Sequence, residues 1–85
     1  MKPKHTKVVH KKLGRERAHA IAYTDENKIE IDERLSGYRY LLYLLHEHEH
    51  ILHPEWSESK VIKESSAIAR FLYKNNFRWV DLSKK

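Results

Sequence analysis

Tyr38-Arg39-Tyr40-Leu41-Leu42-Tyr43-Leu44-Leu45-His46-Glu47-His48-Glu49-His50-Ile51-Leu52 is the stretch on which the reading of this 85-residue chain turns. It contains no Gly or Pro and is dense in apolar side chains, which predicts a buried helix. Its second half spells H-E-x-x-H once, with His46, Glu47 and His50; no other register through the His-rich run satisfies it. Two histidines four apart lie on one helical face, close enough for both imidazoles to hold one Zn²⁺. Glu47 then stands beside the ion, where a carboxylate takes a proton from water. The pattern points to a metal-dependent hydrolase.

Working outward, Ser36 is a candidate N-cap and Pro54 a stop, so the first helix is expected over residues 38–53. Ser57 offers a second N-cap with Glu58 in the first turn, where the helix dipole favours a carboxylate. The second helix is expected over residues 58–75, with Val61, Ile68, Phe71 and Leu72 as its apolar stripe, broadened by Ala67 and Ala69. Upstream, residues 18–23 and 28–32 read as two short strands, the second alternating apolar and polar, with turn chemistry at Thr24-Asp25-Glu26-Asn27. The tail Phe77-Arg78-Trp79-Val80 reads as a short closing strand or a packed coil. A β-hairpin followed by two helices is a compact α+β domain.

Composition narrows the class. A chain of this length holds one domain with a small core, to which a bound metal adds stability. It contains no Cys, which excludes disulfides and a Cys-based zinc site. With no signal peptide and no apolar run near the ~20 residues of a membrane span, the expected location is the cytoplasm, away from any membrane. The net charge of +5 is uneven. Lys2, Lys4, Lys7, Lys11, Lys12, Arg15 and Arg17 face only Glu16 in residues 1–17, a net +6, whereas the other 68 residues sum to −1. Residues 1–17 are therefore expected to form a basic N-terminal arm, and residues 18–85 the metal-binding domain. Such an arm keeps a small protein in solution and offers weak contact with nucleic acid through phosphates. No aromatic residue is interleaved with its charges, which favours the first role.

A catalytic zinc takes three protein ligands and leaves one position open, and the motif supplies two. His53 lies on the same helix, and three ligands from one straight helix seldom converge. Glu58 and Glu64 both lie on the second helix, each about 60° from the centre of the expected apolar stripe and on opposite sides. The helical wheel leaves both open, and for either one a solvated flank residue is the plain alternative.

From Arg15 to Phe77 the chain resembles very small zincin-like proteins of phages and bacteria, described as metallopeptidases. The resemblance rests on Gly14-Arg15, Ile29-Glu30-Ile31-Asp32, the run Leu41 to His50, Ser57-Glu58-Ser59-Lys60-Val61, and Ala69-Arg70-Phe71-Leu72-Tyr73 followed by Asn76-Phe77. The charged pair His48-Glu49 stands where zinc-protease helices carry uncharged residues. The resemblance implies a minimal gluzincin-like fold, an edge strand beside the active-site helix, and a second helix delivering Glu58 as third ligand to Zn²⁺ beside His46 and His50. It implies Glu47 as catalytic base, with a peptide or protein substrate paired along residues 19–23 or 28–32. His19 and Tyr73 are candidates for stabilising an oxyanion. Two other readings accompany it: a zinc-binding regulatory module of a mobile element without catalysis, and a small basic nucleic-acid-binding protein.

Overall fold

The computed structural model describes residues 5–14 and 18–80. Strand β1 (Lys7–Lys11), strand β2 (Ala20–Tyr23), strand β3 (Lys28–Asp32), helix α1 (Gly37–Leu52) and helix α2 (Glu58–Lys74) follow in chain order. The sheet order is β1-β3-β2, with β1 parallel to β3 and β2 antiparallel to it. The protein is thus a small α+β domain with a mixed three-stranded sheet and two helices.

Alternation along β3 buries Ile29 and Ile31 while Glu30 faces the other side. On that other side Glu30 lies 3.7 Å from both Lys11 and Lys28 and accepts a bond from the Tyr23 hydroxyl at 3.0 Å. Helix α1 packs on β2 and β3 with one side and on α2 with another. Tyr40, Leu41 and Ile51 from α1 join Ile29, Ile31, Val61 and Ala69 in the core.

Of the segment expected as an arm, residues 5–14 are described, and these belong to the domain. Lys7–Lys11 is a strand of the sheet and Leu13 is fully buried. Two buried polar side chains at the ends of β3 hold this segment. At one end Asn27, in the left-handed region at φ 51°, donates to His5 O at 2.9 Å and accepts from the Thr6 hydroxyl at 3.0 Å. Its own carbonyl accepts from Lys7 N at 3.0 Å. At the other end Asp32 accepts from Leu13 N at 3.3 Å and from the Arg34 backbone and guanidinium at 2.7–2.9 Å. The charge run in the sequence conceals the β-branched pair Val8-Val9, which is the local strand signal. Lys2, Lys4, Arg15, Glu16 and Arg17 lie outside the described residues.

The helix boundaries fall within a residue of those expected. Ser57 caps α2 by accepting from Lys60 N at 3.2 Å, whereas the Ser36 side chain makes no such bond. Gly37 opens α1 at φ 57°, a backbone state that Gly adopts without strain. The tail adds no strand; Trp79 packs as coil against His10 and Tyr40, at ring centroid distances of 4.9 and 5.1 Å. Burial pushes the Tyr40 hydroxyl up to about 12, so it stays protonated and able to donate to His10 Nε2, 2.7 Å away. No helix among the described residues is long and apolar enough to cross a membrane.

The stripe of α2 differs from the expected one. Val61, Ser65 and Ala69 are buried, whereas Ile68 and Phe71 are 39% and 66% exposed. Small residues at 65 and 69 let α2 approach α1 closely, and Ser65 satisfies its hydroxyl by donating to Val61 O at 2.7 Å.

Two predictions follow from the clamps on β3. Asn27→Ala removes both side-chain bonds and destabilises the fold by ~2 kcal/mol in urea unfolding; an unchanged midpoint would show that β1 is held by other contacts. The Arg34 hydrogen bonds hold the Asp32 carboxyl well below the usual range. A group with a lowered folded-state pKa stabilises above its unfolded value and loses that contribution on acidification. Melting temperature should therefore fall as pH drops below about 4, with a shallower acid slope in Asp32→Asn.

Candidate metal centre

The apolar face of α1 determines where its polar face goes. With Tyr40, Leu41 and Ile51 in the core, Tyr43, His46, Glu47 and His50 form a row at three- and four-residue spacing beside β2 and α2. The turn into α2 then brings Glu58 back towards this row. The His53 ring stacks on Trp56 at 3.8 Å and 7°, and the Lys60 ammonium lies 4.6 Å from the centre of the Trp56 ring.

His46 Nε2 and His50 Nε2 are 3.2 Å apart. Glu58 reaches both, with Oε2 3.1 Å from His46 and Oε1 2.8 Å from His50. These three ligand atoms lie within 4.8 Å of one another, a group that could hold a metal ion. Donors at ~2.0–2.1 Å from a tetrahedral Zn²⁺ stand ~3.3 Å apart, a separation inside the 4.8 Å span of this group. The donor set itself, two imidazoles and a carboxylate, is that of His₂Glu catalytic sites.

The structure also separates Glu58 from Glu64. Measured from the buried row Val61-Ser65-Ala69, Glu58 lies about 20° from its centre at 100° per residue and Glu64 about 100° away. The wheel could not choose because Ile68 and Phe71 had been placed in the stripe. His53 is not part of the cluster: besides its Trp56 stack, it lies 3.7 Å from Glu49 and from Glu55. Tyr73 is far from it as well. It packs edge-on against Tyr38 under the Arg78 guanidinium, about 22 Å along α2 from Glu58. His19 packs against Tyr43 at 4.7 Å, one turn of α1 before Glu47.

Glu47 is half-buried. Burial pushes its carboxyl up to about 7, opposed by the His50 charge and assisted by that of Glu58. The Ala22 backbone N–H is a further, smaller influence that holds it down. His46 is shifted down, first by burial and also by His50, while Glu58 pulls it up. The Ala22 contact was absent from the sequence reading and has a simple origin. His19 O accepts from Asp32 N at 2.9 Å, making 19 and 32 a bonded pair of the antiparallel ladder. Alternation then makes Ala20–Ile31 and Ala22–Ile29 the non-bonded pairs, which turns the N–H and C=O groups of Ala20 and Ala22 to the open edge of the sheet.

A separate groove of about 410 Å³ lies between α1 and β1, lined among others by Val8, Ile29, Leu44, Leu45, His48 and Ile51. It contains none of the four centre residues, and its walls are largely apolar. The chemistry therefore concentrates at the smaller, polar cluster.

Comparison of the chain with family models, with curated proteins and with solved structures finds no match in any of the three.

The cluster predicts one divalent ion per chain by elemental analysis after zinc loading. His46→Ala and His50→Ala should lose it, and Glu58→Ala should bind it more weakly, while Glu64→Ala should match the parent. Equal metal content in all four variants would place the ion elsewhere.

Proposed function

We propose that this protein is a zinc-dependent peptidase of the zincin type, which hydrolyses peptide bonds with an activated water. The observation that carries this reading is the convergence of His46, His50 and Glu58 at one point with the half-buried Glu47 carboxylate beside it. A structural ion pair needs neither the fourth group nor its placement against an open strand edge.

A bound Zn²⁺ would supply Lewis-acid polarisation of a carbonyl and lower the pKa of water toward ~7. His46, His50 and Glu58 would hold it. Glu47 takes the proton of the attacking water and returns it to the leaving amine, a general base that becomes a general acid. Its half-buried position limits its contact with bulk water. The outward groups of Ala20 and the Ala22 carbonyl pair with an extended peptide, which aligns the scissile bond with Glu47. Of the two strands considered for this role, β2 fits: β3 lies between β1 and β2 and has no open edge. Neither candidate for the oxyanion stands beside Glu47: His19 packs on Tyr43 a turn of α1 earlier, and Tyr73 packs against Tyr38 far along α2.

The test separates chemistry from metal binding. Glu47→Gln should retain zinc and lose peptide hydrolysis by at least ~100-fold, the usual contribution of a positioned general base. Hydrolysis at the parent rate by the zinc-loaded variant would sink the mechanism. Zinc retention by the parent with no cleavage of any peptide in a mixed-sequence pool would instead favour a metal-binding module without catalysis.

A further inference from the structure

Beyond the centre, the face of α1 that carries Glu47 continues toward the helix start through Tyr43 and Arg39, each four residues from the next. Arg39 is exposed, and its Nη2 lies 3.3 Å from His19 Nε2. A guanidinium only donates, so any bond in this pair runs from Arg39 to His19. The Arg39 guanidinium also lies 5.9 Å from the centre of the Tyr43 ring. Together with Asp32, Arg34 and Leu35, Arg39 and His19 line a cleft of about 180 Å³.

The charges of this cleft do not cancel. Asp32 is engaged by Arg34 through two guanidinium bonds and the Arg34 backbone, and by Leu13 N. Arg34 is thereby neutralised. Arg39 forms no ion pair among the described residues, so one unpaired cation faces the cleft beside the His19 ring. A planar fork of this kind pairs best with a carboxylate.

Position links the cleft to the centre. Arg39 precedes Glu47 by eight residues on α1, about 12 Å along the axis. His19 precedes Ala22 by three residues, about 10 Å along the strand direction. Both measures place the cleft roughly three residues of extended peptide from the atoms beside Glu47.

We propose that Arg39, supported by His19, binds a carboxylate of the substrate about three residues from the scissile bond, so that this protein prefers acidic peptides or peptides ending there. The proposal rests on the peptidase reading, since it places its ligand along the same strand edge. Two sources supply the same chemistry: a Glu or Asp side chain, and a free C-terminus.

The test uses zinc-loaded Glu47→Gln protein and fluorescein-labelled peptides of Ala, Thr and Val with an amidated C-terminus. One Glu is moved through successive positions, each peptide having a Gln twin, and a second set ends in a free carboxylate at successive lengths. Fluorescence anisotropy should show about fivefold tighter binding than the neutral twin at one register, the scale of an exposed ion pair, weakening with salt. Arg39→Gln should erase the preference, and Lys63→Gln, an exposed cation on α2, should keep it. A preference in the Glu set only assigns the side chain; in the free-carboxylate set only, the terminus. Equal binding of charged and neutral peptides overturns the proposal, as does a preference that survives Arg39→Gln. Digestion of the same peptides by the parent distinguishes the two readings. Carboxylate preference without cleavage leaves the cleft assigned and removes the peptidase. Cleavage without preference removes the cleft alone, and neither binding nor cleavage removes both.

Discussion

Helix α1 has to satisfy two partners at once, and this constraint organises the molecule. Tyr40, Leu41 and Ile51 tie it into the core, with the sheet on one side and α2 on another. Its remaining face is thereby aimed at the notch between β2 and α2. The row Arg39, Tyr43, His46, Glu47 and His50 occupies that notch because nothing apolar competes for it. Rotating α1 by one residue would take Ile51 out of the core and swing Glu47 off the Ala22 N–H, so core packing and site geometry are set by the same register. α2 obeys a matching rule. Its buried side is made of Val61, Ser65 and Ala69, small enough for close approach, and Glu58 stands one turn before Val61 on that side.

The centre is graded in its exposure to water. The Glu58 side chain is 61% exposed, those of His46 and His50 are 17% and 28% exposed, and the Glu47 carboxyl is buried enough to be shifted strongly upward. The same gradient explains the opposite displacements of two neighbours. Burial disfavours charge on both Glu47 and His46, which raises an acid and lowers a base.

Much of this arrangement was legible in the sequence. The helix around His46 and His50, the hairpin with its turn at residues 24–27, and the Ser57 cap all follow from local chemistry, and local chemistry survives folding. What could not be read depended on contacts between distant segments. Lys7–Lys11 looked like part of a charged arm because its partner, β3, lies two elements further on and the parallel register leaves no local mark. Glu58 and Glu64 were equivalent until the buried face of α2 was known, and that face is set by α1 rather than by hydrophobicity: Phe71 is large and apolar yet exposed, and Ser65 is polar yet buried. The Ala22 N–H carries no side-chain signal at all. Arg39 and Tyr43 did carry one, their spacing of eight and four residues from Glu47, which becomes meaningful only beside His19.

The parallel pairing of β1 with β3 has a further consequence, in the entropy of the unfolded chain. Lys7 and Lys28 are twenty-one positions apart, whereas Glu58 and His50 are separated by only eight. Closing the longer loop costs about 1 kcal/mol more in chain entropy. The ligand cluster is therefore a short-range object within residues 46–58, and the sheet that supplies the strand edge is a long-range one. The cluster and the sheet thus draw on different parts of the chain's connectivity, and a change that lengthens the crossover between β1 and β2 acts on the sheet while leaving the span between His46 and Glu58 untouched.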